Sequence, residues 1–570
     1  MLTLKASRYG HIGYFEAFPS GDNFRRYLDI IKGIPSRSWS KKYVFWSMSI
    51  VDFDILIKDC DKANLGQVNI EEPLKRILFQ YNKWRNELAI LVAKESIVSD
   101  IGKDFLKLPM MPHQEVAVEF LIKRKVAING DEMGVGKTLS GIVVSEYLKR
   151  VGKAKNCLIV CPASVKWNWA KEFDKFVENP SYEVIEGDVN KRIEKYMSPA
   201  TTKIINFELL RNDYETILYD TIFDCIIVDE IHRIRNYKSK QTKALIGIGK
   251  KASYRIGLTG TPIQNKLTDL YSIMKFIHPH LLGNWYAFDK RYNVQGYFGE
   301  IIGHENLDEI HKKLKNIMIR RFKKDVIKDL PPKIKTDIYV ELPPEQRKLY
   351  DRVKNDLLRP NVEDDEEVSG QANILTNITY LREICDSCEL IEPESQVSCK
   401  LAELKPLITE ILENGHKVVI FSQWKRMIYI INRELKIPTI LYTGDIKVAG
   451  GERTKLEKEF KESTTKNVLL MTTAGGEGIN LQCADHIIFF DVPFNPKVIA
   501  QIEDRLHRKG QKNVTNVIRL LTKNTIEDDV LAILDFKIKL FNEVIEGKVP
   551  KSRMVECQLT QKEILKTIKW

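Results

Sequence analysis

Several features are missing from this sequence, and each absence excludes a class of protein. No stretch reaches the roughly 18 consecutive apolar residues that a membrane-spanning helix needs, and the first residues contain no apolar run typical of a secretory signal. The nine cysteines are odd in number and scattered, so they form no dense disulfide framework. We therefore expect a soluble intracellular protein with free thiols and no membrane contact, cytoplasmic in a bacterium or virus and nuclear in a eukaryote.

An excess of acidic residues is also missing. The chain has 89 Lys and Arg against 77 Asp and Glu, which leaves a net charge of +12 over 570 residues. This basic excess suits a polyanionic partner, although a solvated surface of mixed charge explains it equally well. With 43% hydrophobic residues and about 150 residues per domain, the chain is expected to form three or four compact units.

Two regions of the chain share one pattern, in which short β-rich apolar runs alternate with helical stretches. The first contains NCLIVCP, TKIINF and FDCIIVDE, and the second contains KVVIFSQW, KNVLLMTT and ADHIIFFD. This alternation is typical of parallel sheets in an α/β fold. The predicted segments are an N-terminal α+β accessory module at 1–108, a first α/β domain at 109–300, a mostly helical insertion at 301–398, a second α/β domain at 399–535 and a helical tail at 536–570.

The segment DEMGVGKT, which begins at Asp131, has the features of a phosphate-binding loop. It follows the apolar run VAING and precedes a helical pattern, although the strict motif has glycine where Asp131 stands. Gly134 and Gly136 permit a tight loop, and the N–H groups at the helix start point at phosphate. Lys137 would supply a cation to the β and γ phosphates, and the Thr138 hydroxyl would bind magnesium. The loop predicts a site for ATP with Mg²⁺.

Two carboxylates end the apolar run FDCIIVDEIH. At the carboxyl edge of a parallel sheet they would face the phosphate loop. Asp229 is suited to hold Mg²⁺ through water, and Glu230 is suited to orient or deprotonate the attacking water. The alternative is a surface turn with ordinary acidic residues. His232 fits a hydrogen-bonding link better than a zinc ligand, since the carboxylates beside it already have a magnesium role.

The segment QIEDRLHRKGQ carries two arginines. On a helix, Gln501, Arg505 and Arg508 at i, i+4 and i+7 would share one face. The planar guanidinium pairs with phosphate in a bidentate manner, so the arginines suit the charge that develops as the terminal phosphate leaves. Roughly 370 residues separate this segment from the phosphate loop, so hydrolysis is expected to require closure of two domains. An ordinary basic helix is the alternative.

Together these motifs identify a family resemblance. In order, PHQ, DEMGVGKT, DEIH, TGTP, FSQW, TTAGGEGINL and QIEDRLHRKGQ resemble the motifs of superfamily 2 helicase-like ATPases, and among them the Swi/Snf-type DNA translocases, over residues 109 to about 548. The resemblance implies two RecA-like domains. It also implies that Gln114 reads adenine, that Thr259 to Pro262 couple nucleotide state to the DNA, and that Gly476 and Gly478 line the second domain's side of the nucleotide cleft, with Gln501 also binding the nucleotide.

The same resemblance implies a set of contacts with nucleic acid. Small hydroxyls and amides suit contacts with a phosphate backbone that do not depend on base sequence. The residues implied are Ser164, Lys166, Asn206, Gln423 and Thr472. A further group of basic residues would either add affinity for DNA or lie on a solvated helix face: Arg320, Arg321, Lys323 and Lys324.

The N-terminal segment IKGIPSRSWSKKYVFWSM is similar to the HARP-type module of annealing helicases, which remodel stalled replication forks. Aromatic side chains such as Trp39 would stack on splayed bases, while cations such as Arg37 hold phosphate. The alternative is a small domain whose tryptophans belong to its core.

The sequence as a whole predicts a monomeric, ATP-driven translocase on duplex DNA that remodels or reanneals branched DNA. Two alternatives remain at this level. One is a strand-separating DNA or RNA helicase, and the other is a nucleotide-gated clamp that binds DNA and hydrolyses ATP slowly as a switch.

Overall fold

A computed structural model gives the fold in two compact units. The described residues are 1–7, 14–40, 45–65, 68–97, 99–262, 267–296, 301–327, 329–358, 367–445, 452–473, 479–508, 510–547 and 555–556. Unit 1 comprises Met1–Val326 and Lys539–Thr560, and unit 2 comprises Ile327–Ile538 and Gln561–Trp570.

Unit 1 begins with a small module built on a mixed five-stranded sheet in the order β3-β4-β2-β1-β5. Its strands are β1 (Leu2–Ala6), β2 (Tyr14–Pro19), β3 (Ser38–Ser40), β4 (Phe45–Ser49) and β5 (Val68–Ile70), and its helices are α1 (Phe24–Gly33), α2 (Phe53–Lys62) and α3 (Glu72–Ala93). Strands β1 and β2 are antiparallel, whereas β5 joins β1 in parallel. Leu4, Phe15 and Tyr27 fill its core, so the predicted α+β structure is present.

The module is joined closely to the domain that follows it. Leu88 and Leu91 of α3 belong to the same hydrophobic core as Phe120 of that domain. An ion pair also connects the two parts, with Nη1 of Arg291 lying 2.8 Å from a carboxylate oxygen of Asp59. We therefore expect changes in the packing of α3 to affect both parts of unit 1.

The first α/β domain contains seven parallel strands in the order β14-β6-β11-β10-β7-β9-β8. The strands are β6 (Val126–Asn129), β7 (Cys157–Cys161), β8 (Tyr182–Val184), β9 (Thr202–Asn206), β10 (Cys225–Asp229), β11 (Tyr254–Leu258) and β14 (Met318–Ile319). Every side chain of β7 is buried, with Leu158 in one core and Ile159 in the other. A strand covered on both faces needs a continuous apolar run, and NCLIVCP supplies it.

Helices flank this sheet, and a small hairpin accompanies it. The helices are α4 (Pro112–Arg124), α5 (Lys137–Arg150), α6 (Lys166–Phe176), α7 (Val189–Met197), α8 (Phe207–Asp213), α9 (Lys240–Gly249), α10 (Leu267–Ile277), α11 (Trp285–Tyr292), α12 (Leu307–Leu314) and α13 (Lys323–Val326). The hairpin strands β12 (Asn293–Gln295) and β13 (Ile301–His304) are antiparallel, and β21 (Val555–Glu556) pairs with β13.

Unit 2 contains a second, fully parallel sheet of six strands in the order β15-β20-β19-β16-β18-β17. Its strands are β15 (Lys333–Val340), β16 (Val418–Phe421), β17 (Thr439–Tyr442), β18 (Val468–Met471), β19 (His486–Phe489) and β20 (Thr515–Thr522). Its helices are α14 (Pro344–Leu358), α15 (Glu367–Asp386), α16 (Cys399–Glu413), α17 (Lys425–Leu435), α18 (Glu452–Glu462), α19 (Pro496–Leu506) and α20 (Ile526–Phe541), the last of which ends within the residues assigned to unit 1. Along β16, Val419 faces one core and Ile420 the other.

The predicted fold class, an α/β protein with two RecA-like domains, is confirmed. Region 301–398 contains the expected helices α14 and α15, but it also supplies β14 and β15, which are edge strands of the two sheets. Strand β15 escaped prediction because most of its residues are exposed, so its apolar pattern is weak. The eight cysteines that the structure describes are free thiols, as predicted. Among the described residues, every helix is too short or too polar to cross a membrane.

Candidate nucleotide site

The phosphate loop connects β6 to α5 at the carboxyl edge of the first sheet. Its two glycines have left-handed backbone conformations, with φ of 78° at Gly134 and 93° at Gly136. A Cβ atom at Gly136 would lie 2.2 Å from Nε2 of Gln114, so a side chain there would have a strained backbone conformation and would displace the Gln114 amide. The loop therefore has the strand, turn and helix order expected of a phosphate site.

Lys137 is the first residue of helix α5, and its side chain extends back over the loop. Its ammonium group donates to the carbonyl oxygens of Asp131, at 2.9 Å, and Glu132, at 3.1 Å. These contacts hold the cation over the loop that would surround the phosphates. Thr138 occupies the next position of α5 and is partly exposed, and its role in binding Mg²⁺ stays a prediction.

Asp229 lies at the end of β10, beside the loop. Its carboxylate accepts hydrogen bonds from Nε1–H of Trp169 and from the backbone N–H of Glu230, both at 2.9 Å. Burial and the neighbouring Glu230 carboxylate raise the pKa of Asp229, Trp169 and Lys137 lower it, and the net result is a pKa of about 6. A carboxylate held in this way favours an additional cation, and its hard oxygen donors suit Mg²⁺. Sequence reasoning missed Trp169, because nothing in its spacing connects it to a residue 60 positions away.

Glu230 and the TGTP segment are joined through His232. Glu230 has a left-handed backbone conformation with φ of 49°, and its Oε2 lies 3.0 Å from Nδ1 of His232. The same nitrogen lies 3.1 Å from Oγ1 of Thr259, which accepts a hydrogen bond from the N–H of Thr261. His232 thus hydrogen-bonds with Thr259 and lies within ion-pair distance of Glu230, and its role as a link between the two stays a prediction. Such a link would connect the residue expected to orient water to the segment expected to couple nucleotide state to DNA.

Gln114 is buried near the start of α4. Its Oε1 accepts a hydrogen bond from the N–H of Met111 at 2.9 Å, and its Nε2 donates to the carbonyl of Gly136 at 3.3 Å. The side chain thus ties α4 to the phosphate loop. Its role as a reader of adenine stays a prediction.

In unit 2, the expectation that three residues share one helix face is wrong for Arg508. Helix α19 ends at Leu506, since His507 leaves the helical conformation with ψ of 77°, and the amide of Gln511 donates to the Leu506 carbonyl at 3.3 Å. Arg508 therefore lies in the turn after the helix and is exposed. Gln501 and Arg505 are on α19 and share a face, as i and i+4 spacing requires.

The predicted nucleotide contacts Gly476 and Gly478 lie outside the described residues. Two other candidates of unit 2 follow neighbouring strands at the carboxyl edge of its sheet. Gln423 follows β16, and its Nε2 donates to Asp491 at 2.6 Å. Thr472 follows β18 and is only 6% exposed. Contact with a phosphate backbone would require the Gln423 amide to leave Asp491, and the role of both residues stays a prediction.

Three candidate DNA contacts lie in unit 1, where β7 and β9 are adjacent. Ser164 follows β7 and is partly exposed, and Asn206 ends β9, where its Oδ1 caps α8 by accepting the N–H of Leu209 at 3.3 Å. Lys166 is directed inward, since it is 8% exposed and its Nζ donates to the carbonyl of Ile185 at 3.0 Å. The structure brings Ser164 and Asn206 to one sheet edge but does not present the Lys166 charge to solvent.

In the N-terminal module, Trp39 is 42% exposed and its ring lies 5.0 Å from the ring of Trp46. Arg37, two residues earlier, donates from Nη1 to the carbonyl of Ile34 at 3.1 Å, and burial lowers its pKa. Trp39 is therefore not a core residue, and its exposed ring surface is accessible to a stacking partner.

Among the described residues, one group has the spacing of a metal site: His416, Asp485 and His486. It lies at the amino ends of β16 and β19, the edge opposite Gln423. Nδ1 of each histidine lies within 2.8 Å of the Asp485 carboxylate, and Nε2 of His486 lies 3.1 Å from the Asn516 amide. Hydrogen bonds within the chain thus account for this group.

The chain matches two known domain families. Residues 113–390 match the SNF2-related domain, and residues 399–510 match the helicase conserved C-terminal domain. These two regions contain the phosphate loop, both carboxylates and the arginines of unit 2.

Curated relatives share the same core. An uncharacterized ATP-dependent helicase of Mycoplasma genitalium is 35% identical over 431 residues, which cover 73% of this chain and 40% of the relative. TATA-binding protein-associated factor MOT1 of Saccharomyces cerevisiae is 29% identical (77% of this chain, 28% of the relative), and human chromodomain-helicase-DNA-binding protein 1 is 32% identical (74% and 26%). The chain thus spans 26 to 40% of the length of these relatives.

A solved structure of the Sulfolobus solfataricus SWI2/SNF2 ATPase core with double-stranded DNA is 29% identical and covers 80% of this chain and 96% of that one. Its TM-score of 0.40 supports no structural conclusion. The sequence families, the two parallel sheets and the phosphate loop agree with one another. The chain is a helicase-like ATPase of the Swi/Snf type, with SNF2-related and helicase C-terminal domains.

Proposed function

We propose that this ATPase is a translocase on double-stranded DNA that remodels or reanneals branched DNA such as forks. The observation that carries the proposal is the arrangement at the carboxyl edge of the first sheet. There the loop cation Lys137, the partly buried carboxylate Asp229 and the contacts of His232 with Glu230 and Thr259 converge. Such an arrangement serves phosphoryl transfer and connects it to a segment outside the loop.

Each residue of this edge has a separate role in hydrolysis. Lys137 and the N–H groups of the loop bind the β and γ phosphates. Thr138 and Asp229 hold Mg²⁺, which when bound neutralises charge on the phosphate oxygens. Glu230, oriented by His232, positions the attacking water. Since Asp229 loses its proton with a pKa of about 6, it is ionised at neutral pH.

The arginines of unit 2 complete the proposed chemistry. Arg505 on α19 and Arg508 in the following turn would stabilise the charge that develops as the terminal phosphate leaves. Gln501, Gly476 and Gly478 would bind the nucleotide from the same domain. A requirement for both units would make hydrolysis depend on their movement, which is how an ATPase becomes a motor.

Duplex DNA is the nucleic acid along which we propose that the enzyme moves. The names of the relatives support this choice, since one is a chromodomain-helicase-DNA-binding protein and another an ATP-dependent helicase. Ser164 and Asn206 lie at one sheet edge of unit 1, and small polar side chains suit backbone contacts that do not depend on sequence. The action on branched DNA rests on the exposed Trp39 beside Arg37.

ATPase rates measured with duplex, single-stranded and forked DNA and with RNA test the proposal. We expect duplex DNA to stimulate hydrolysis and forked DNA to stimulate it further. Stimulation by RNA without a response to duplex DNA would instead indicate a strand-separating RNA helicase. No stimulation by any nucleic acid would contradict the motor.

Displacement of a third strand from a DNA triplex separates a motor from a clamp. A translocase removes the third strand in an ATP-dependent manner from one side of the triplex, whereas a nucleotide-gated clamp leaves it in place. Reannealing is measured on a plasmid bubble coated with a single-strand binding protein. Failure there, with triplex displacement retained, would leave the translocase and remove the annealing activity.

A further inference from the structure

The basic segment after β14 runs alongside the phosphate loop rather than over the surface. The N–H of Gly130 donates to the carbonyl of Ile319 at 2.7 Å, and the N–H of Glu132 donates to the carbonyl of Arg321 at 3.0 Å. In return, the N–H of Lys323 donates to the Glu132 carboxylate at 2.7 Å. The segment therefore continues the β6–β14 pairing along the first residues of the loop.

Arg321 binds the residue that replaces the first glycine of the strict phosphate-loop motif. Its backbone N–H and its Nε donate to Oδ1 of Asp131 at 2.9 and 3.1 Å, and its Nη2 donates to Oδ2. Its Nη1 donates to the carbonyl of His113, next to Gln114. Asp131 is only 2% exposed, so its charge needs this partner.

Arg320 reaches the other side of the loop. Its Nη1 donates to the carbonyl of Gly130, at 2.6 Å, and to the carbonyl of Gly260 in the TGTP segment, at 3.0 Å. Its guanidinium lies 4.8 Å from the ring of Phe541, and its Nη2 lies 4.0 Å from Glu546. Between them, the two arginines contact three segments of the candidate site: the start of α4, the phosphate loop and TGTP.

We propose that Arg320 and Arg321 are positioning residues for ATP binding. Arg321 holds the phosphate loop against the start of α4 through Asp131 and His113, and Arg320 holds the loop against Gly260. Neither touches the nucleotide, and neither serves as a cation for DNA, because both guanidinium groups are directed into unit 1. The inference rests on the proposed function only in that the site binds ATP.

Arg321→Lys is the decisive variant, because a lysine keeps the charge but loses the bidentate fork. A shift of the loop by a fraction of an ångström is expected to weaken binding of fluorescent mant-ATP roughly 10- to 100-fold, given how steeply phosphate sites depend on geometry. Asp131→Asn, which removes the charge with little change of shape, should act in the same direction. The double variant should bind no more weakly than the weaker single variant, since residues that act as a pair are not additive.

A matched control is Arg433→Lys in unit 2. Arg433 forms a bidentate pair with Glu389, at 2.7 and 2.6 Å, on the surface, and Glu389 is not a predicted site residue. We expect its nucleotide affinity to equal that of the wild type. Affinity for duplex DNA and its dependence on salt should be unchanged in Arg321→Lys, since no phosphate contact is lost.

Three results would overturn the inference. The first is an unchanged mant-ATP affinity in Arg321→Lys. The second is a lowered Tm as the sole effect, which would make the pair merely structural. The third is a loss of DNA affinity with a smaller dependence on salt, which would make Arg321 a DNA contact. The binding assay needs no DNA. A wild type without DNA-stimulated hydrolysis would therefore contradict the translocase while leaving the Arg321 test intact.

Discussion

The carboxyl edge of the first sheet and the amino edge of the second, where the turn between α19 and β20 lies, differ in how far the chain itself fixes the candidate side chains there. At the first edge, Trp169 holds Asp229, and His232 joins Glu230 to Thr259. At the second edge, the candidate Arg508 is exposed in a turn beyond its helix. The difference supports nucleotide binding by unit 1, and the role of the unit 2 arginines stays a prediction.

Lys137→Ala gives the largest expected effect and tests the first edge directly. The loop is built around this cation, so its removal should abolish both ATP binding and turnover. Steady-state ATPase rates and mant-ATP binding measure the two losses. Lys153→Ala is the control, since Lys153 is exposed just after α5. Turnover at the wild-type rate in Lys137→Ala would show that the site is elsewhere.

Arg508→Ala and Arg505→Ala test the second edge. Each should lower kcat by roughly 10³-fold, in the range of arginines that act on the leaving phosphate, while the Kd for mant-ATP stays near that of the wild type. The exposed Lys512 follows in the same segment, and Lys512→Ala should change neither quantity. If the arginine variants lost nucleotide affinity and kept kcat, the contrast between a binding edge and a catalytic edge would be broken.

Much of this contrast was readable from sequence, because it depends on local patterns. Apolar runs such as FDCIIVDE located the buried parallel strands, and the Gly134 and Gly136 spacing located the phosphate loop. Strands covered on both faces leave a continuous apolar signal, and a left-handed turn leaves a glycine. The fold class and the first edge followed from these signals.

Long-range contacts explain what the sequence did not reveal. Asp131 is held by Arg321, 190 residues away, and a basic run alone does not distinguish an inward guanidinium from a solvated one. The i+7 spacing placed Arg508 on a helix, but that helix ends at Leu506, where the Gln511 amide donates to the last carbonyl. In both cases, tertiary contacts decide the conformation, and the local sequence pattern does not reveal them.

Acid should lower the free energy of unfolding of unit 1 more than that of unit 2. The difference should reach about 3 kcal/mol if the full pKa shift of one histidine contributes. In unit 1, burial lowers the pKa of His304 to about 4. Between about pH 6.5 and pH 4, the histidine is therefore protonated in the unfolded chain but neutral in the folded chain. The free energy of unfolding of unit 1 should therefore fall between pH 6.5 and 4. In unit 2, burial raises the pKa of Asp485, but hydrogen bonds, among them those from the two histidines, outweigh burial and lower it. The stability that Asp485 contributes is therefore present above the ordinary pKa of an aspartate. It is lost only when the pH falls below that value.

Urea midpoints followed from pH 7 to 4 measure this effect, with His304→Gln as the test variant. Glutamine keeps a donor for Oδ1 of Asn293, which His304 contacts at 2.9 Å, but it does not titrate. The variant should lose less stability on acidification than the wild type. An equal loss would show that His304 is not responsible.

Thr259→Val addresses the link that sets the first edge apart. Valine keeps the size of the side chain but cannot bond to His232, so Glu230 loses part of its orientation. We expect kcat to fall about tenfold with little change in ATP affinity, as for residues that act by orienting another group. Thr409→Val, at an exposed position of α16, is the control. If Thr259→Val changed affinity but not kcat, the link would serve binding instead.

The smallest effect on ATPase activity is expected from a substitution in the N-terminal module, which leaves the candidate residues of both sheets unchanged. Trp39→Ala removes an exposed ring whose stacking on one base would be worth roughly 1–3 kcal/mol. Stimulation by forked DNA should fall a few-fold, while the ATPase rate on plain duplex DNA stays unchanged. Phe79→Ala removes a more exposed aromatic residue from α3 of the same module, and it should leave both rates as they are. A parallel loss on duplex and fork would place Trp39 in support of the whole of unit 1, since α3 shares its core with the first α/β domain, and would remove the main reason for assigning this ATPase to branched DNA.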